Sequence, residues 1–161
     1  MNRIFWVFGA LGIMISACGE KKCPYKPEAI FAKDLPHIAQ YNFEIEGSQS
    51  MESMLLDTDI LLEIYQNVCE ETTQEYKFTV KGDFTNYPDS LWLREASRQL
   101  VFLSSFSDKQ RGLKAWGDIL ELRRSDMRLG ESREVQPGIY VKVDKVISPD
   151  QGVLLLTFSQ K

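Results

Sequence analysis

From Tyr41 onward the chain alternates between apolar and polar positions. Tyr41, Phe43 and Ile45 interleave with Asn42, Glu44 and Glu46, the period of a half-buried strand. Gly47-Ser48-Gln49-Ser50 breaks the run, and Met51 to Leu56 follows as a short edge segment. Ile60, Leu62 and Ile64 resume the alternation, with Leu61 making the middle apolar on both faces. A polar turn from Cys69 to Gln74 leads into Tyr76, Phe78 and Val80 and a stop at Gly82. Two runs joined by such a turn predict an antiparallel hairpin.

The period changes after Pro88. Asp89 or Ser90 can cap a helix whose face carries Trp92, Ala96, Leu100 and Leu103, with Arg94, Glu95 and Arg98 opposite. Leu100-Val101-Phe102-Leu103 fits a strand as well. Ser107 and Gln110 have capping-box spacing before a second stripe, Leu113, Trp116 and Leu120, which Gly112 and Gly117 weaken. Ser125 to Gln136 reads as a charged connection. Ile139, Val141 and Val143 form a strand, Ser148 to Gly152 a turn, and Val153 to Phe158 a strand apolar enough to lie inside a sheet. The fold class expected is therefore α+β: a mostly antiparallel sheet, open or as a small sandwich, with two helices inserted before a C-terminal β-hairpin.

The N-terminus follows other rules. Met1-Asn2-Arg3 is short and positive, and Ile4 to Ile15 is an uncharged run of 12 residues. That suits a signal sequence and falls well short of the roughly 20 residues that span a bilayer. Ile15-Ser16-Ala17-Cys18 then resembles the lipobox of bacterial lipoproteins, although Leu is commoner than Ile at its first position. The resemblance implies cleavage after residue 17 and transfer of a diacylglyceryl group to the Cys18 thiol, with an acyl chain on the new amine. Two or three chains anchor a protein durably where one does not. Gly19 in place of an inner-membrane retention Asp implies the outer membrane of the cell envelope. The organisation expected is a cleaved signal peptide over 1–17, a lipidated flexible tether over 18–36 rich in Pro and charge, and one globular domain over 37–161. The patch Ala29-Ile30-Phe31 is apolar enough to dock back on the domain. A truncated chain starting near Lys33 is expected to fold by itself.

Composition narrows the classes of function. The 161 residues are 43% hydrophobic and 26% charged, as in ordinary globular proteins, and the formal charge of −4 becomes more negative when Arg3 is removed. Such a chain has no electrostatic footprint for nucleic acid. Of three cysteines, the lipobox resemblance implies a lipid on Cys18, which would leave Cys23 and Cys69 in a compartment where disulfides persist. Two readings stay open: separate thiols, or a bridge closing about 45 residues and contributing about 3–4 kcal/mol.

Catalytic chemistry finds little material. His37 is the one histidine, in the linker beside Pro36, and reads as solvated rather than as part of a nucleophile system. Cys23, His37 and Cys69 lack zinc spacing and number only three. Glu70-Glu71 reads as a hairpin tip, and the scattered glycines form no phosphate loop. Hence no catalytic residue, no metal and no cofactor beyond the covalent lipid is assigned. Phe84, Tyr87 and Trp92, clustered with Pro88 between sheet and helix, are either core rings covering the sheet's end or an exposed set able to grip a glycan or peptide.

One further likeness touches the fold. Asn42-Phe43-Glu44-Ile45, a polar break, then Ile60 to Gln66 resembles the first strand pair of the small lipoproteins of type VI secretion machines. It implies a transthyretin-like sandwich that ties a secretion envelope complex to the outer membrane. The leading expectation is a non-enzymatic envelope module, held in the membrane by its lipid anchor and binding another envelope protein. Ligand or glycan binding through the aromatic segment comes second, and a secretion-complex component third.

Overall fold

The structure is a computed structural model that describes residues 23–57, 59–69 and 71–160. Seven strands form one antiparallel sheet: β1 (Ile38–Glu46), β2 (Gln49–Leu56), β3 (Leu61–Asn67), β4 (Thr72–Lys81), β5 (Ser132–Gln136), β6 (Ile139–Ser148) and β7 (Gln151–Gln160). Their order across the sheet is β1-β2-β3-β4-β7-β6-β5. Helices α1 (Asp89–Ser104) and α2 (Arg111–Arg123) connect β4 to β5, so the chain crosses to the far edge and returns as a meander. The α+β class with a mostly antiparallel sheet is thus as expected, and the described strands make one layer rather than the two of a sandwich. β7, read as internal from its apolar run, pairs with β4 and β6.

The register aligns one row across the sheet: Phe43, Glu52, Ile64, Tyr76, Leu156 and Val143. The last four of these are fully buried, and Met54, Leu62, Phe78 and Leu154 form the adjacent buried row. Helix α1 supplies Trp92, Leu93, Ala96, Leu100 and Leu103 to this core, and α2 adds Leu120. The ambiguous run 100–103 is helical, because the buried side chains at 93, 96, 100 and 103 fall on one helical face. Gly117 has a packing reason: a Cβ there would lie 2.7 Å from Val101 Cγ2 and 2.8 Å from the Ser97 carbonyl, so it sets the close approach of the two helices.

Several expectations are corrected. Residues 51–56 belong to an internal strand, paired with β1 and β3, rather than to an edge. Its inward positions begin with the polar Ser50 and Glu52, which hid the alternation. The N-cap of α1 is Pro88, with no side-chain cap bond from Asp89 or Ser90. Ser107 bonds the side chain of Gln110 instead of a backbone amide, and a 3-10 turn, Asp108–Gln110, precedes α2. The charged connection contains β5, whose one inward apolar residue, Val135, gave no periodic signal.

The largest correction concerns the expected flexible tether. Residues 23–36 run as a strap over the inner face of β2 and β3, beside the helices. Phe31 is 2% exposed and packs edge-on to Phe106 at 5.9 Å. The Glu52 carboxylate accepts the amides of Ile30 (2.8 Å) and Phe31 (2.9 Å), while Tyr41 Oη donates to the Phe31 carbonyl (3.0 Å). Gln110 Nε2 donates to the Ile30 carbonyl, and Gln66 Nε2 to that of Glu28. Cys23 is joined to Cys69, their Cα atoms 5.9 Å apart, which fastens the strap's start to the β3–β4 turn. The docking suggested by Ala29-Ile30-Phe31 extends through the whole strap. The domain therefore begins by Cys23, and a chain cut near Lys33 lacks a wall of its core. A chain starting at Gly19 keeps strap, bridge and core, and so every described packing contact.

Glu52 is a carboxylate with no exposed surface. Burial pushes its carboxyl above the ordinary range, and the bonds from the Ile30 and Phe31 amides draw it partway back. A buried charge needs such partners, because the uncompensated ion costs several kcal/mol.

Candidate functional site

Between β4 and α1 a tight loop builds the aromatic segment. Asp83 Oδ1 accepts the Thr85 amide at 3.0 Å and the Thr85 hydroxyl at 2.5 Å, which holds its carboxyl below the usual range. The Tyr87 amide donates to the Phe84 carbonyl at 3.1 Å. The result sets the Phe84 ring 5.1 Å from Tyr87 and 5.7 Å from Trp92. Both Phe84 and Trp92 lie against the backbone of Gly152 on β7. A Cβ there would come within 2.7 Å of Phe84 Cδ2 and 2.8 Å of the Trp92 ring.

The structure thus brings the three singled-out rings together and divides them. Trp92 is a core residue at 6% exposure, Phe84 is half-buried, and Tyr87 is 47% exposed. Beside them opens a cavity of about 390 Å³ between the end of the sheet and α1. Its floor is Ile60, Phe78, Val80 and Leu154. Its wall is a stripe of α1, Leu91, Arg94, Glu95, Arg98 and Gln99, at spacings of three and four that align side chains on one flank.

The polar groups on that wall are incompletely paired. Gln99 Nε2 donates to Glu95 Oε1 at 2.7 Å, which leaves Gln99 Oε1 buried without a partner. Trp92 Nε1 is likewise buried and unpaired. Each such group costs about 1–3 kcal/mol when nothing bonds it. Lys145 Nζ stands 5.9 Å from the Trp92 ring centre, and it pairs with Asp89 at 2.8 Å. Arg98 reaches Glu95 only at 3.6 Å, in a solvent-exposed pair. Arg94 is exposed and makes no ion pair or hydrogen bond among the described residues. Apolar surface with a few polar groups converging on it is the usual make-up of a small-molecule site.

The other residues singled out from the sequence lie elsewhere. Cys18 and Glu70 fall outside the described residues, and Glu71 is exposed. Cys23 and Cys69 sit at the β3–β4 turn, the opposite end of the sheet from the cavity. His37 Nδ1 bonds Asp57 Oδ2 at 2.6 Å on the surface, and no hydroxyl or thiol among the described residues is hydrogen-bonded to that ring. Among the described residues no cluster of His, Cys, Asp and Glu is arranged to hold a metal, and no helix is long and apolar enough to cross a membrane.

Sequence reasoning missed Arg94, Arg98 and Gln99 as cavity residues. Their helical spacing was legible, but a polar helix flank normally faces water. Comparison of the chain with protein-family models, curated proteins and solved structures gives no match.

Proposed function

We propose that this chain is a membrane-anchored bacterial lipoprotein whose domain is a non-enzymatic binder of a small ligand, held in the cavity between α1 and the sheet. The observation that carries the reading is an apolar cavity whose wall holds Arg94, a guanidinium without a partner among the described residues, beside Arg98. The anchor rests on the lipobox-like Ile15-Ser16-Ala17-Cys18. The two halves are physically compatible. Lipid at Cys18 lies five residues before the Cys23–Cys69 bridge at one end of β4, and the cavity lies at the other end. Ten strand residues separate them by about 30 Å, so an anchor at Cys18 and a ligand in the cavity do not compete for the same surface.

The test is native mass spectrometry of the mature protein extracted gently from membranes. A non-covalent adduct of a few hundred daltons is expected in the wild type and not in Leu154→Trp, which fills the cavity floor. Identical spectra for both, with no adduct, contradict the reading.

A second reading, an envelope assembly module, is favoured by the sheet face that faces away from the helices. Along one end of that face run Leu55, Leu61, Thr79, Val153 and Val146, and Leu61 and Val146 are exposed, as is Tyr65 two rows along. The Lys77–Glu63 pair, at 2.7 Å, interrupts that apolar surface and keeps it narrow.

A further inference from the structure

We propose that the cavity's ligand is a small amphiphilic monoanion, an apolar acyl or aryl body carrying one carboxylate. The inference deepens the ligand-binding reading and rests on it.

The body is set by the floor. Phe78, Leu154, Ile60 and Val80 offer only carbon, and Phe84 and Tyr87 stand at the side. A sugar or nucleoside would leave several hydroxyls unpaired against that surface. A chain or ring without polar atoms would not.

The head is set by the wall, where unpaired donors outnumber acceptors. Arg94 has no partner among the described residues, and Arg98 has only the exposed 3.6 Å contact with Glu95. The Trp92 ring, which also lines the cavity, makes its indole N–H a reporter of occupancy. The one carboxylate on this flank, Glu95, is already engaged by Gln99 Nε2 at 2.7 Å, so it is not an open site for a cation. A carboxylate accepts from a guanidinium in two parallel bonds and leaves lone pairs for further donors. A cationic ligand would instead face two arginines. The full sequence is acidic, with a formal charge of −4, which makes this local positive wall a selective feature rather than a general one.

The experiment uses the chain from Gly19 to Lys161 without lipid, so that no detergent competes for the probe. It contains two tryptophans, Trp92 and Trp116, and therefore two indole N–H resonances. Decanoate is titrated first, then decanol, which has the same body without charge, and butyrate, which has the head with little body. Decanoate is expected to shift the Trp92 resonance saturably and leave that of Trp116 in place. Decanol, and decanoate on Arg94→Gln, are each expected to bind about tenfold more weakly, the loss of one charge-assisted contact, and butyrate, which lacks most of the body, at least about a hundredfold more weakly. Arg94 is exposed, so that variant keeps its fold. Decanol binding as tightly as decanoate, or Arg94→Gln binding decanoate unchanged, overturns the anionic head and leaves the cavity reading standing. Failure of both decanoate and decanol to move the Trp92 resonance overturns the two together.

Discussion

The carboxylate of Glu52 holds the backbone amide of Phe31 at 2.9 Å, twenty-one residues back along the chain. This bond ties the strap to the middle of the sheet, and with the Ile30 amide at 2.8 Å it compensates a charge that no water reaches. In Glu52→Gln one of the two amides meets an NH₂ group instead of an oxygen. A loss of about 1–3 kcal/mol is expected from urea unfolding at neutral pH. An unchanged midpoint would mean that the strap is not held by this residue.

The same residue gives a pH signature. Burial raises the Glu52 carboxyl in the folded protein above its unfolded value. The native state then holds the proton more tightly, so stability contributed by this group rises as pH falls through the window from the raised value to the ordinary glutamate value, and is flat below it. Wild type should gain on Glu52→Gln across that window when both are unfolded in urea at successive pH values. Parallel curves, or a wild type that loses ground as pH falls, would contradict the account.

Phe31 and the bridge test the extent of the domain. Phe31→Ala removes a buried ring and is expected to cost about 3–5 kcal/mol. Opening Cys23–Cys69, in a double Ser variant, is expected to cost about 3–4 kcal/mol. Non-reducing peptide mapping should recover the linked peptides, and two freely alkylating thiols would remove the bridge. A chain cut at Lys33 should unfold with low cooperativity or not fold, whereas one cut at Gly19 should unfold in a single transition.

These corrections show what the sequence does and does not make legible. β4 and β7 could be read because their central inward positions, Tyr76, Phe78 and Val80 on one and Leu154, Leu156 and Phe158 on the other, are apolar. The position of β2 could not, since Glu52 is polar by letter and core by location. The strap could not be read either: its two buried residues, Pro27 and Phe31, make no strand-like alternation, and its other contacts include backbone bonds to side chains far along the chain. At the cavity, Phe84, Tyr87 and Trp92 were visible as an aromatic cluster. The arginine wall was visible only as a polar flank, because nothing local distinguishes a flank facing water from one facing a cavity.

Gly152 tests the construction of the cavity's edge. Its missing Cβ admits Phe84 and Trp92 to the backbone of β7. Gly152→Ala should displace both rings and destabilise by about 1–3 kcal/mol, read as a lower urea midpoint and an altered Trp92 indole resonance. No change in that resonance would show that the rings do not rest there.

Anchoring at Cys18 is the premise on which the placement of the cavity in the envelope depends, and it can be tested without knowing the ligand. Cells expressing wild type or Cys18→Ala are grown with labelled palmitate, and the protein is recovered and sized. The account predicts label in the wild type alone, with a mature chain beginning at Cys18, and an unlabelled, uncut precursor for the variant. Label retained by Cys18→Ala, or a wild type that is released without label, would contradict it.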